Sequence, residues 1–146
     1  MIRVQTEDFD IGAEVAALTK GRPGIGAVVT FSGLVRDTGG ISSMELEHYP
    51  GMTEKELARI ETEANARWPL QATLIVHRVG KLSPGDNIVL VVAASSHRDA
   101  AFQAASFLMD YLKTRAPFWK REETGDKSHW VDARESDDEA TAKWKT

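Results

Sequence analysis

Apolar residues recur along this chain with two periods, and the periods divide it into elements. In DIGAEVAALTK (10–20), Ile11, Val15 and Leu18 fall on one helical face, and Gly21 and Pro23 end the segment. GAVVTFSGLVR (26–36) is β-rich and runs into DTGG. In SMELEHY (43–49), Met44, Leu46 and His48 alternate with Glu45, Glu47 and Tyr49, as in a half-buried strand. These two strands are expected to pair across the DTGG loop. The clearest helix is 51–69, with Leu57, Ile60 and Ala64 as its stripe and Pro69 as its stop. Thr53 with Glu56 reads as its capping box, and Met52 with Leu57 as its staple.

The second half repeats the alternation of types. QATLIVHRVG (71–80) predicts a strand and PGD (84–86) a turn. NIVLVVAAS (87–95) is apolar without alternation, which predicts a central strand covered on both faces. Residues 95–117 predict a second long helix, capped by Ser96 with Asp99, with Ala101, Ala105, Leu108 and Leu112 on one face. Pro117 ends it, and 118–123 with 129–133 predicts a terminal hairpin. The charged tail from about 135 is a candidate mobile segment. With no repeat or linker in view, the order predicts one domain over 1–146. Its fold class is α+β, a mostly antiparallel sheet with two long helices.

Composition narrows the function. The 146 residues, 42% hydrophobic and 27% charged, suit a water-soluble domain with a real core. No apolar run is long enough for a membrane span, and MIRVQTEDFD lacks the layout of a signal peptide, so the cytoplasm is the expected compartment. A net charge of -4 argues against general nucleic-acid binding. With no cysteine there is no thiol nucleophile and no thiolate metal site. His48, His77, His97 and His129 are scattered, so no metal site is expected.

Against this acidic background, LKTRAPFWKRE (112–122) stands out: Lys113, Arg115, Lys120 and Arg121 are all basic, with Phe118 and Trp119 among them. One reading makes Lys113 and Arg115 complements of a helix C-terminus and Lys120 and Arg121 solvated strand residues. The other makes them an anion pocket, in which clustered cations yield an amine able to move protons or attack. His97 and Arg98 follow a helix cap, where they are either simply exposed or, with free backbone N–H groups, a phosphate grip. Arg36 at a strand end and Arg134 in DARES are weaker candidates. His97 and Lys113 are sixteen residues apart on one predicted helix, so their backbones stand about 24 Å from each other. If both serve one small ligand, the site is shared between two chains of a symmetric dimer.

Taken together, EHYPGMTEK (47–55), RWPL (67–70), HRVGKLSPGD (77–86), SSHRDAAF (95–102), YLKTRAPFWKRE (111–122) and HWVDARES (129–136) resemble the MoaE family, the catalytic large subunits of molybdopterin synthase. The resemblance runs from about residue 26 to DARES. It implies an α/β-hammerhead-like portion of the fold. It implies a sulfurtransferase that converts cyclic pyranopterin monophosphate into molybdopterin. The two dithiolene sulfurs would come from the C-terminal thiocarboxylate of a small ubiquitin-like, MoaD-like partner, which fits a chain without cysteine. It implies a homodimer within a heterotetramer, with no cofactor, nucleic acid or membrane involved. Residue by residue, Lys113 and Lys120 match the family's catalytic lysines. Leu34, Val35 and Arg36, His97 and Arg98, Arg121 and Glu122, and Arg134 match its substrate-binding positions. The alternative is a non-catalytic scaffold, or an anion- or protein-binding module using the same patch. Such a module predicts binding that weakens steeply with salt and depends on no particular lysine.

Overall fold

The longest apolar stretch becomes an inner strand of a four-stranded sheet. The computed structural model describes residues 1–37, 43–124, 127–131 and 135–145, with side chains described outside 121–138. The first sheet has the order β1-β4-β6-β2, from β1 (Ile2–Gln5), β4 (Leu70–Arg78), β6 (Asn87–Ser95) and β2 (Ala27–Leu34). β1 runs parallel to β4, and the other pairs are antiparallel. Period-two alternation splits the two central strands cleanly. Leu74, Val76, Leu90 and Val92 face α1 (Ile11–Thr19), whose Ile11, Val15 and Leu18 pack on them. Ile75, Val89 and Val91 face α2 (Met52–Arg67) and α3 (Arg98–Arg115), meeting Leu57, Ile60, Phe107 and Leu108. Each such fully buried aliphatic or aromatic side chain contributes roughly 1.5–3 kcal/mol.

The second sheet has the order β5-β3-β7-β8, from β5 (Gly80–Leu82), β3 (Ser43–His48), β7 (Phe118–Thr124) and β8 (Lys127–Val131), all antiparallel. The terminal hairpin is therefore present as β7 and β8. The expected pairing of 26–36 with 43–49 is not: β2 pairs with β6, while β3 lies between β5 and β7. The reason lies in β6. Apolar on both faces, it is buried between helices, so its backbone N–H and C=O groups need a paired strand on each edge, and β2 supplies the second. β3 buries Met44 and Leu46 in a different cluster, with Val35 and Leu82.

Both long helices begin differently from the sequence expectation. The N-cap of α2 is Gly51 at φ 87°, where only glycine is unstrained, and its N–H donates to Glu54 at 3.2 Å. Thr53 has another task. Its buried hydroxyl accepts from the Tyr49 N–H at 3.0 Å and donates to the Pro117 carbonyl at 3.0 Å, tying α2 to the turn between α3 and β7. Met52 is exposed and staples nothing. The N-cap of α3 is His97, in extended conformation without a side-chain capping bond. Ser96 instead donates to the Gly24 carbonyl and accepts from Gln71, both at 3.1 Å. Gly26 makes that approach feasible, because a methyl there would lie 2.2 Å from the Ser96 carbonyl oxygen.

In the charged tail, α4 (Glu135–Ala142) lies against α3. Beyond it the Trp144 indole N–H donates to Asp110 at 2.6 Å, and its ring meets Trp68 and Phe107 edge-on. No helix among the described residues is long and apolar enough to cross a membrane.

Candidate functional site

The candidate site lies where α3, packed on the first sheet, hands the chain to β7 in the second. Lys113 is exposed in the last turn of α3. Pro117 breaks the helix, and the strand begins at once with Phe118. Register then decides which way each side chain points. Phe118 lies opposite His48 and Lys120 opposite Leu46, so both share the inner face of the second sheet. Lys120 is half-buried there. Trp119 points to the outer face, where its ring meets Tyr49 edge-on at 4.7 Å and both stay exposed.

Beneath this joint sits His77. It follows Ile75 on the helix-facing side of β4 and is only 5% exposed. Its ring stacks on Phe118 with centroids 3.8 Å apart and planes 16° from parallel. Nδ1 lies 2.8 Å from the Arg78 carbonyl, and a carbonyl only accepts, so Nδ1 carries the ring proton. Burial pushes the His77 pKa down to about 4. The bond to Arg78 opposes this, and the positive charges of Lys113 and His48 add to it. The imidazole is therefore neutral at ordinary pH. His48 in turn lies 3.9 Å from the Glu54 carboxylate.

The end of β2 reaches the same region through packing. Leu34 is exposed, whereas Val35 is buried with Met44, Leu46 and Leu82. The Val35 N–H donates to the Asp86 carbonyl at 2.9 Å, and the Gly85 N–H donates to the Val35 carbonyl at 2.8 Å. Arg36 follows, exposed. Because Leu46 is the cross-strand partner of Lys120, the 34–36 segment ends beside that lysine's strand pair.

Other candidates fall elsewhere. His97 and Arg98 are exposed at the opposite end of α3, about 24 Å from Lys113 along the axis. The backbones of Arg121 and Glu122 lie in β7, opposite Glu45 and Met44; their side chains lie outside the described residues, as does Arg134 altogether. Arg115 leaves the basic group: it pairs with Glu63 at 3.1 Å and lies over the Tyr111 ring at 4.1 Å, so it joins α2 to α3. Sequence reasoning assigned His77 no role, and its neighbours explain why. The contacts that matter, Phe118 and Lys113, come from more than thirty residues away in the chain. Among the described residues no group of three or more potential metal ligands gathers.

One chain thus assembles two lysines and a strand end around a turn, and carries an arginine–histidine pair on a distant helix start. The family described as "MoaE protein" matches residues 4–115. The molybdopterin synthase catalytic subunit of Mesorhizobium japonicum is 61% identical over 148 residues, covering 99% of this chain and 93% of its own. The solved molybdopterin biosynthesis MoaE protein of Burkholderia ambifaria is 57% identical with a TM-score of 0.88, covering 100% of this chain and 98% of that one. At the level of fold alone, the chain resembles one from a Helicobacter pylori complex of subunits 1 and 2 of molybdopterin-converting factor. That likeness has 18% identity and a TM-score of 0.79, and covers 91% of each chain. A family match over most of the chain, and relatives this similar along almost all of it, carry one conclusion: the chain belongs to the MoaE family.

Proposed function

We propose that this chain is the catalytic large subunit of a molybdopterin synthase, acting in molybdenum cofactor biosynthesis as a sulfurtransferase. It moves two sulfurs from the C-terminal thiocarboxylate of a small ubiquitin-like subunit to cyclic pyranopterin monophosphate. The observation that carries this reading is the joint between α3 and β7. It holds an exposed lysine and a half-buried lysine on two elements that share a buried seam. Family membership and the similarly named relatives support it.

The chemistry follows from charge. Substrate and thiocarboxylate are both anions and repel each other, so cations must hold them together. Lys113, exposed at the helix end, receives the thiocarboxylate and stabilises the charge that develops on acyl transfer. Lys120, half-buried beside the 34–36 strand end, polarises the pterin oxygen functions and moves protons. Arg36, Arg98 and His97 grip the phosphate, with Leu34, Val35, Arg121, Glu122 and Arg134 in the binding surface. At each of two pterin side-chain carbons the thiocarboxylate sulfur forms a C–S bond as the carbon–oxygen bond there breaks; the oxygen, protonated through Lys120, departs as water or as the freed phosphate oxygen, and a thioester joins the pterin to the partner. Water cleaves that thioester, the sulfur stays on the pterin side and the partner leaves as carboxylate. A second thiocarboxylate repeats the sequence.

The α3 geometry adds an oligomeric requirement. A single small ligand does not span 24 Å, so His97 and Arg98 of one chain complete the lysine pocket of a second chain. The assembly is a homodimer with one small subunit at each end, working in the cytoplasm. The test is reconstituted conversion. Purified protein, thiocarboxylated small subunit and cyclic pyranopterin monophosphate should yield dithiolene product, and Lys113→Ala should yield almost none. A stable complex with the partner but no product from the wild type would leave a scaffold.

A further inference from the structure

His77 is the buried polar group next to the lysines that the reaction outlined above does not use. Four elements converge on it. β4 supplies the ring and β7 the Phe118 face stacked on it. The end of α3 brings Lys113 close enough for its charge to act on the imidazole, and β3 brings His48. Arg78, the next residue, is itself fastened: its guanidinium donates twice to the Thr6 carbonyl, at 3.2 and 3.0 Å, and once to the Asn87 carbonyl at 3.0 Å. The Arg78 carbonyl holds Nδ1 of His77. The first sheet thus presents one flat, immobilised ring to the second sheet at the point where α3 turns into β7.

We propose that His77 is a positioning residue for the sulfur-transfer site: its ring seats Phe118 and thereby sets the spacing and direction of Lys113 and Lys120. The inference rests on the function proposed above for those lysines. Phe118 is five residues from Lys113 and two from Lys120, on the same strand face as the latter. Any tilt of its ring carries over to both. A ring also suits the place better than an aliphatic side chain, since a near-parallel stack fixes orientation as well as distance. A neutral ring suits it best, because a cation there would repel Lys113. Histidine meets both demands, and its Nδ1–H adds a tether that phenylalanine lacks.

The test compares His77→Ala, His77→Phe and His77→Asn in the reconstituted conversion assay with thiocarboxylated small subunit. His77→Ala should lower kcat by at least about tenfold with KM for the pterin within about threefold, because the phosphate grip is made by Arg36, His97 and Arg98 and not by the two lysines. His77→Phe keeps a flat neutral ring and should recover kcat to within about threefold of wild type. His77→Asn keeps a donor without a stack and should stay as low as alanine. Phe118→Leu removes the other half of the stack. It should show the same kcat loss, not additive with His77→Ala, and it serves if the alanine variant does not fold. Wild-type kcat in His77→Ala or Phe118→Leu would overturn the proposal. So would rescue by asparagine but not phenylalanine, or a change confined to KM. Failure of the wild type to form product would sink the proposed function instead. The inference is then read from Lys113 acylation by acetic anhydride, followed by mass spectrometry. That rate should shift at least about threefold in His77→Ala and return in His77→Phe; an unchanged rate overturns it.

Discussion

Lys113 and Arg115 stand two residues apart in the last turn of α3, and their surroundings differ. Arg115 is held by Glu63 and the Tyr111 ring, while Lys113 is exposed beside the His77–Phe118 stack. Lys113→Ala is expected to cut kcat by at least about 10²-fold without changing the unfolding midpoint. Lys120→Ala should cut kcat likewise. Arg115→Ala should keep kcat within about threefold yet lose about 1 kcal/mol of stability in urea unfolding. His77 gives a second expectation at this scale. Its folded pKa of about 4 lies below the ordinary 6.5, so between those values the unfolded chain binds the extra proton. Its contribution is complete above about pH 6.5 and lost as pH falls toward 4, by up to about 3 kcal/mol. Urea unfolding at pH 7.5 and pH 5 should show about 2 kcal/mol of that loss, and His77→Phe should flatten it. From sequence alone the basic cluster was legible as a cluster. That Arg115 leaves the cluster to join α2 to α3 was not, because Glu63 and Tyr111 become its neighbours only once α2 packs on α3.

At the scale of elements, local pattern read well and partnership did not. The stripe of α1, the all-apolar β6 and the alternation of β3 follow from period alone, and each turns the residues that pattern selects toward the core, half-buried in α1 and buried at Met44 and Leu46 of β3. Pairing between strands follows from which faces need covering, and that is a property of the whole sheet. Capping failed for a related reason. Ser96 has the chemistry of an N-cap, but its hydroxyl is engaged by Gly24 and Gln71, and the helix starts one residue later. This start depends on Gly26. Gly26→Ala would drive a methyl into the Ser96 carbonyl, and the backbone there must move. A loss of about 1–3 kcal/mol is expected. KM for the pterin should rise as His97 and Arg98 shift, with kcat less affected; steady-state kinetics and thermal unfolding on one preparation separate the two.

The molecule as a whole is two sheets sharing a seam, with α3 running from one candidate half-site to the other. Mixed dimers test whether the halves belong to different chains. Lys113→Ala and Arg98→Ala homodimers should both be nearly inactive. Unfolded together and refolded at equal amounts, half the dimers are mixed and each mixed dimer keeps one intact site, so activity should return to about a quarter of wild type. No recovery would place both ends in independent roles. The separation of the two ends of α3 was legible from helix length alone, since sixteen residues at about 1.5 Å each need no tertiary information. The seam itself was not, because it depends on which sheet each strand joins.

Trp119, exposed on the outer face of β7 against Tyr49, is also a native optical reporter. Of the other three tryptophans, Trp68 and Trp144 are packed together in the aromatic cluster around Phe107, so their emission should be insensitive to events at the lysines, and Trp130, whose side chain lies outside the described residues, is removed by Trp130→Phe. Trp119 adjoins Lys120 in the chain, and seating of the partner's C-terminal tail should alter its solvent contact. A change in emission intensity or wavelength on titration with the small subunit, absent in Trp119→Phe, would give the association rate without any attached dye. The same signal followed in a stopped-flow mixer would time tail entry against product formation, and so reveal which of them governs turnover.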